Sequence, residues 1–156
     1  MPDRNALVAR LKGLQVKPIV VGILICYAAQ FVGTFISVIL QLFSPHAIDA
    51  FTDPHMEAAI ARGVFFRTFV EMMLQLAGYT AAGFVAAHLA SGRRADQAVG
   101  VGLIFMGLNL PYILSVSHMA VAQQAPATAM WGWWLALVLT VPAAYLGARL
   151  WDRYAG

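Results

Sequence analysis

From Pro18 to Ile48 the chain carries no formally charged residue, and the same holds from Met72 to Gly92 and from Gln97 to Ala148. A membrane-crossing helix needs about 20 apolar residues, because roughly 30 Å of hydrocarbon is covered at about 1.5 Å per residue. The first two runs each hold one crossing. The third is long enough for two, so it must fold back. Gln123-Gln124-Ala125-Pro126 is the turn signal in the right place. Helices are therefore expected near 18–43, 66–90, 97–120 and 130–149, with an outer loop over 44–65. Membrane strands would require period-2 alternation and a closed barrel, and neither pattern is present. The expected fold is all-α: one polytopic membrane domain over 1–156, a four-helix bundle without an internal repeat.

Composition turns this pattern into a statement about solvent. Hydrophobic residues make up 61% of the chain and charged residues 11%, against about 25% charged in average soluble proteins. A soluble domain of this size has no way to cover so much apolar surface, so the lipid bilayer is the expected partner. The net charge of +3 is small, and the basic residues follow the spans instead of gathering on one nucleic-acid-binding face. No nucleic acid is expected. The single cysteine, Cys26, lies in an apolar run. It has no intrachain disulfide partner and reads as a small buried hydrophobe.

Charge placement orients the spans. Arg4, Arg10, Lys12 and Lys17 precede helix 1, Arg93 and Arg94 lie between helices 2 and 3, and Arg149 and Arg153 close helix 4. Arg62 and Arg67 fall on the other side. The positive-inside rule then places both termini in the cytoplasm, in what reads as a bacterial inner membrane. Trp131, Trp133 and Trp134 fall at the outer interface, and Trp151 and Tyr154 at the inner one. Leu7, Leu11 and Leu14 share one face of a short interfacial helix over 3–14; a loose basic tail that only fixes topology is the alternative.

Three polar stripes interrupt the apolar spans. Helix 1 carries Gln30, Thr34, Ser37 and Gln41 on one face. Helix 2 opens with Arg67, Glu71 and Gln75, four apart. Helix 3 carries Asn109, Tyr112, Ser115 and His118, three apart, on one side that drifts slowly around the axis. Glu71 falls near the outer rim, where a charge is tolerated, and Arg67 one turn earlier is spaced to pair with it. Polar side chains avoid lipid, so the stripes should face the bundle interior or a partner. One reading is interhelical hydrogen bonding. The other is an outward-facing vestibule for water, a cation or a small polar ligand, with Gln30, Ser37, Gln41, Arg67, Glu71, Gln75, Asn109, Tyr112, Ser115 and His118 as candidate residues. Pro111 and Pro142 each remove a helical hydrogen bond and free a carbonyl one turn back.

Enzyme chemistry finds no support. His46, Asp49, Asp53, His55 and Glu57 are metal-ligand types in the outer loop, but none shows the i,i+4 histidine spacing that fixes a site. His88 and His118 fall at opposite depths and cannot share a haem iron. No serine elbow or phosphate-cradling loop is present. No metal or cofactor is expected. Small residues recur at helical spacing, with Gly78, Ala82, Ala86 and Ala90 beside Gly83 and Ala87, then Gly100 and Gly107, then Ala136, Thr140, Ala144 and Ala148. They allow close helix approach, within the chain or with another. Two functions follow. The first is a non-enzymatic membrane component, accessory or protective, that binds a partner chain. The second is a small oligomeric transporter or channel built around Glu71.

Overall fold

The computed structural model describes residues 13–42, 54–122 and 131–155. Among these residues all regular structure is helical: α1 Val16–Leu42, α2 Pro54–Leu89, α3 Arg94–Ala122 and α4 Trp131–Ala155. Each is long and apolar enough to cross a membrane. The expected interfacial helix over 3–14 lies almost wholly outside the described residues, as do loop residues 44–53 and the Gln123–Pro126 turn.

One boundary needs correction. Residues 54–65, expected in the outer loop with a separate short surface helix over 54–62, are the first turns of α2. Pro54 suits a first helical turn, where its missing N–H has no partner to lose. From Pro54 to Phe66 the only helix-weakening residue is Gly63, a penalty of about 1 kcal/mol that the long apolar continuation overrides. The ends of α3 and α4 also run past the expected 97–120 and 130–149, because Arg94-Ala95-Asp96 and Leu150–Ala155 contain no breaker.

α2 is the central helix. It packs most extensively on α4 and α1, α3 packs chiefly on α4, and α1 and α4 barely meet. The α2–α4 contact rests on reciprocal glycines. A Cβ on Gly83 would collide with the carbonyl oxygen of Ala144. A Cβ on Gly147 would collide with the carbonyl oxygen of Thr80 and lie 2.6 Å from the Phe84 nitrogen. Ala87, Ala144 and Ala148 are fully buried on this side of the bundle. Gly102 meets α4 similarly, 2.8 Å from the Val141 Cα. The small-residue stripes are thus consumed inside the chain. Gly107 is the exception, with nothing within 4 Å of its missing Cβ.

Residues 13–15, the α2–α3 turn and the end of α4 meet at one end of the bundle, here called the terminal end. The turn is four residues long, Ala90 to Arg93, and places Arg93 at φ 47°, a left-handed conformation. A polar clasp joins it to the chain ahead of α1. Fully buried Gln97 accepts from the Gln15 backbone N–H at 2.9 Å and donates to the Gly13 carbonyl at 3.0 Å. The Gln15 side chain donates to Ser91 Oγ and accepts from the Ser91 N–H at 3.3 Å. On α4, Trp151 packs edge-on against Phe84 and His88, and Asp152 lies 3.7 Å from Arg94. Gln97→Leu should lower stability by about 1–3 kcal/mol, since it leaves a half-buried backbone N–H and carbonyl without their partner. Denaturation in mixed detergent micelles checks this, with exposed Leu103→Ala on the same helix as the neutral comparison.

Candidate functional site

The site builds from α2 outward. Gln75 donates to Glu71 Oε1 at 3.3 Å, and Tyr79 donates to Gln75 Oε1 at 3.5 Å. These side chains lie one helical turn apart, which is what i,i+4 spacing allows. From α1, Thr34 Oγ1 donates to the same Glu71 oxygen at 3.4 Å. Counted at about 1.5 Å per residue from Val16 and from Leu89, Thr34 and Glu71 each lie roughly 27 Å from the terminal end. The chain Tyr79–Gln75–Glu71–Thr34 therefore climbs from mid-depth toward the far rim. Tyr79 is 3% exposed and Gln75 5%.

These groups face a cavity of about 230 Å³. Gln30, Thr34, Ser37 and Val38 line it from α1. Arg67, Thr68, Glu71, Gln75 and Tyr79 line it from α2, and Phe105, Asn109, Tyr112 and Ile113 from α3. α4 contributes Trp133, Ala136 and Leu137. Its floor is aromatic: Phe105 lies 5.3 Å from Tyr79 and 5.0 Å from Tyr27, centroid to centroid. Below the floor the bundle is an apolar core of Ile19, Cys26, Ala82, Ala86 and Val101.

Seven of the ten residues picked from the sequence meet here: Gln30, Ser37, Arg67, Glu71, Gln75, Asn109 and Tyr112. Ser115 and His118 do not line the cavity; both are exposed. The reason is the helix period. A three-residue step falls roughly 60° short of a full turn, so by His118 the stripe has moved about 180° from Asn109. The 4-3-4 stripe of α1 swings back and forth and keeps its face. Gln41 lies in the last turn of α1, and its side chain is outside the described part of the structure.

The expected Arg67–Glu71 ion pair is not formed. Both residues line the cavity, yet among the described residues no charged contact within 4 Å joins them, and Glu71 is held by neutral donors instead. Tyr79, Thr68 and Phe105 were not singled out from the sequence, and Trp133 was read only as an interface residue. Tyr79 could have been found, because it continues the 67-71-75 spacing. Trp133 could not, because its role depends on where α4 sits.

Asn109 donates to the Phe105 carbonyl at 2.9 Å, the partner that a side chain four residues later can reach. Trp134 donates to Ser117 at 3.1 Å and Trp131 stacks on Phe65 at 5.5 Å, so the tryptophans fix the far end of α4 against α3 and α2. Among the described residues no group of three or more His, Cys, Asp or Glu side chains converges as a metal site would. The loop candidates His46, Asp49 and Asp53, and the side chains of His55 and Glu57, lie outside the described part. Chemically, the cavity offers one carboxylate, one guanidinium, several neutral hydrogen-bonding groups and aromatic walls. That set has the chemistry to suit small polar or cationic molecules. Comparisons with protein-family models, curated proteins and solved structures find no match for this chain.

Proposed function

We propose that this chain is a small transporter of the bacterial cytoplasmic membrane, with both termini in the cytoplasm, that takes a cationic molecule into the Glu71 cavity. One observation supports this above others: the Glu71 carboxylate faces a cavity and is held by Thr34 and Gln75, not neutralised by Arg67. A carboxylate kept for structure alone would be paired or turned to water. The packed apolar core closes the cavity toward the terminal end, so passage requires the helices to move, as in a carrier rather than an open channel.

The test is the protein in lipid nanodiscs, titrated with sodium, potassium, methylammonium and guanidinium. Saturable thermal stabilisation by at least one of them, lost when Ser37→Phe fills the cavity, supports the reading. Identical curves for the wild type and Ser37→Phe with all four would end it. For topology, a cysteine at Arg153 in a Cys26→Ser background should react in intact cells with permeant maleimide and resist impermeant maleimide. Labelling by both reagents would put the terminal end outside.

The accessory reading retains one observation of its own. α2 has 36 residues, about 54 Å of helix against roughly 30 Å of hydrocarbon. With Leu89 held by the short turn at the terminal end, the excess overhangs the far side, where a partner chain can reach it. Replacing 54–61 by a Gly/Ser segment should then break an association detected by native mass spectrometry from the host membrane. Unchanged association would remove this reading.

A further inference from the structure

We infer that the cavity is loaded sideways from the bilayer, through the seam between α1 and α3, and that its ligand is an amphiphile with a cationic head and an apolar tail. This rests on the proposed binding role of Glu71 and adds the route and the ligand class.

The seam has two unlike halves. Toward the terminal end it is shut: Gly22 sits against Val101, 2.6 Å from its Cγ2 for an added Cβ, and Tyr27 meets Phe105 edge-on. Past that contact the helices part. A second, shallow groove opens there on the outer face of the bundle, lined by Tyr27, Gln30, Phe31, Thr34, Asn109 and Tyr112. Gln30, Thr34, Asn109 and Tyr112 line the inner cavity as well, so the two spaces share a wall. This sparse α1–α3 contact contrasts with the tight α2–α4 seam.

The chemistry of that wall is wrong for plain lipid tails. Tyr112 is 61% exposed, and neither its hydroxyl nor the Gln30 carboxamide has a hydrogen-bond partner among the described residues. Unpaired polar groups facing hydrocarbon are unfavourable and mark pathways. Beside them Phe31, 73% exposed, and Tyr27 offer an apolar bed. A cationic head passing Gln30 and Tyr112 reaches the Glu71 carboxylate beside Thr34, while its tail stays on Tyr27 and Phe31 or in lipid.

The experiment is a chain-length series of primary alkylammonium ions, from methyl to dodecyl, titrated into wild-type protein and Glu71→Gln in nanodiscs, with thermal stability as the readout. A laterally open site places no limit on the tail. Apparent affinity, referred to the aqueous concentration, should climb about fourfold per methylene through dodecyl, and Glu71→Gln should lose at least tenfold at every length. A closed cavity of about 230 Å³ cannot hold a long tail. Affinity that peaks at a short chain and then falls would overturn the lateral route and leave the Glu71 site standing. A series that behaves identically in Glu71→Gln would overturn the site and the route together.

Discussion

Gly83→Ala and Gly147→Ala are each expected to destabilise the bundle by about 3 kcal/mol, the upper end of the usual penalty for overpacking. The size follows from what stands in the way. At Gly83 the obstacle is the Ala144 carbonyl, and at Gly147 it is the Thr80 carbonyl and the Phe84 nitrogen. A crowded side chain changes rotamer; a helical backbone must move as a rod. Parting α2 from α4 also loosens the fully buried alanines on both sides of the seam. In lipid no hydrophobic drive between spans makes good the lost contact, since helix association depends on close packing. Gly107→Ala is the matched comparison. With nothing within 4 Å, it should stay within about 0.5 kcal/mol of wild type. Unfolding in mixed micelles with rising denaturing-detergent fraction measures all three. If Gly83→Ala proves as neutral as Gly107→Ala, the α2–α4 register is wrong.

The same seam shows what the sequence could disclose. Uncharged runs were enough to find four helices long and apolar enough to cross a membrane, because lipid penalises charge at every position of a span. Small residues at helical spacing announced a close contact. They could not say with whom, since Ala144 and Gly147 meet α2 only once the bundle is assembled. The polar stripes were legible where spacing preserves a face, as with Gln30, Thr34 and Ser37. They misled where it does not, as with Ser115 and His118. The clasp of Gln15 with Gln97 and Ser91 left no trace, because lone polar residues near a span end look like ordinary loop chemistry. A helix starting at Pro54 was legible as a short surface helix over 54–62; that it runs on without a break into the second span was not, because Arg62 and Arg67 interrupt the apolar pattern there. The Arg67–Glu71 pairing failed for a similar reason: i,i+4 spacing permits a contact, and the donors Thr34 and Gln75 took the carboxylate instead.

Glu71→Gln should weaken methylammonium binding about 10- to 100-fold while leaving the fold nearly unchanged. A hydrogen bond to a charged group is worth about 1.5–3 kcal/mol, and each 1.4 kcal/mol is roughly a factor of ten in affinity. The amide keeps an oxygen that can accept from Thr34 and Gln75, so the network around it survives. Glu71→Leu behaves differently. It removes the acceptor of the Gln75 amide, which is 5% exposed, and a buried donor without a partner costs about 1–3 kcal/mol. The pair of variants therefore separates two roles. If Glu71 only ties α1 to α2, stability falls in Glu71→Leu and binding follows stability in both variants. If its charge holds the ligand, Glu71→Gln loses binding at wild-type stability. Titration calorimetry in nanodiscs beside thermal unfolding of the same samples gives both numbers. Methylammonium bound with wild-type affinity by a stable Glu71→Gln protein would reduce the carboxylate to one more acceptor in a hydrogen-bonded seam.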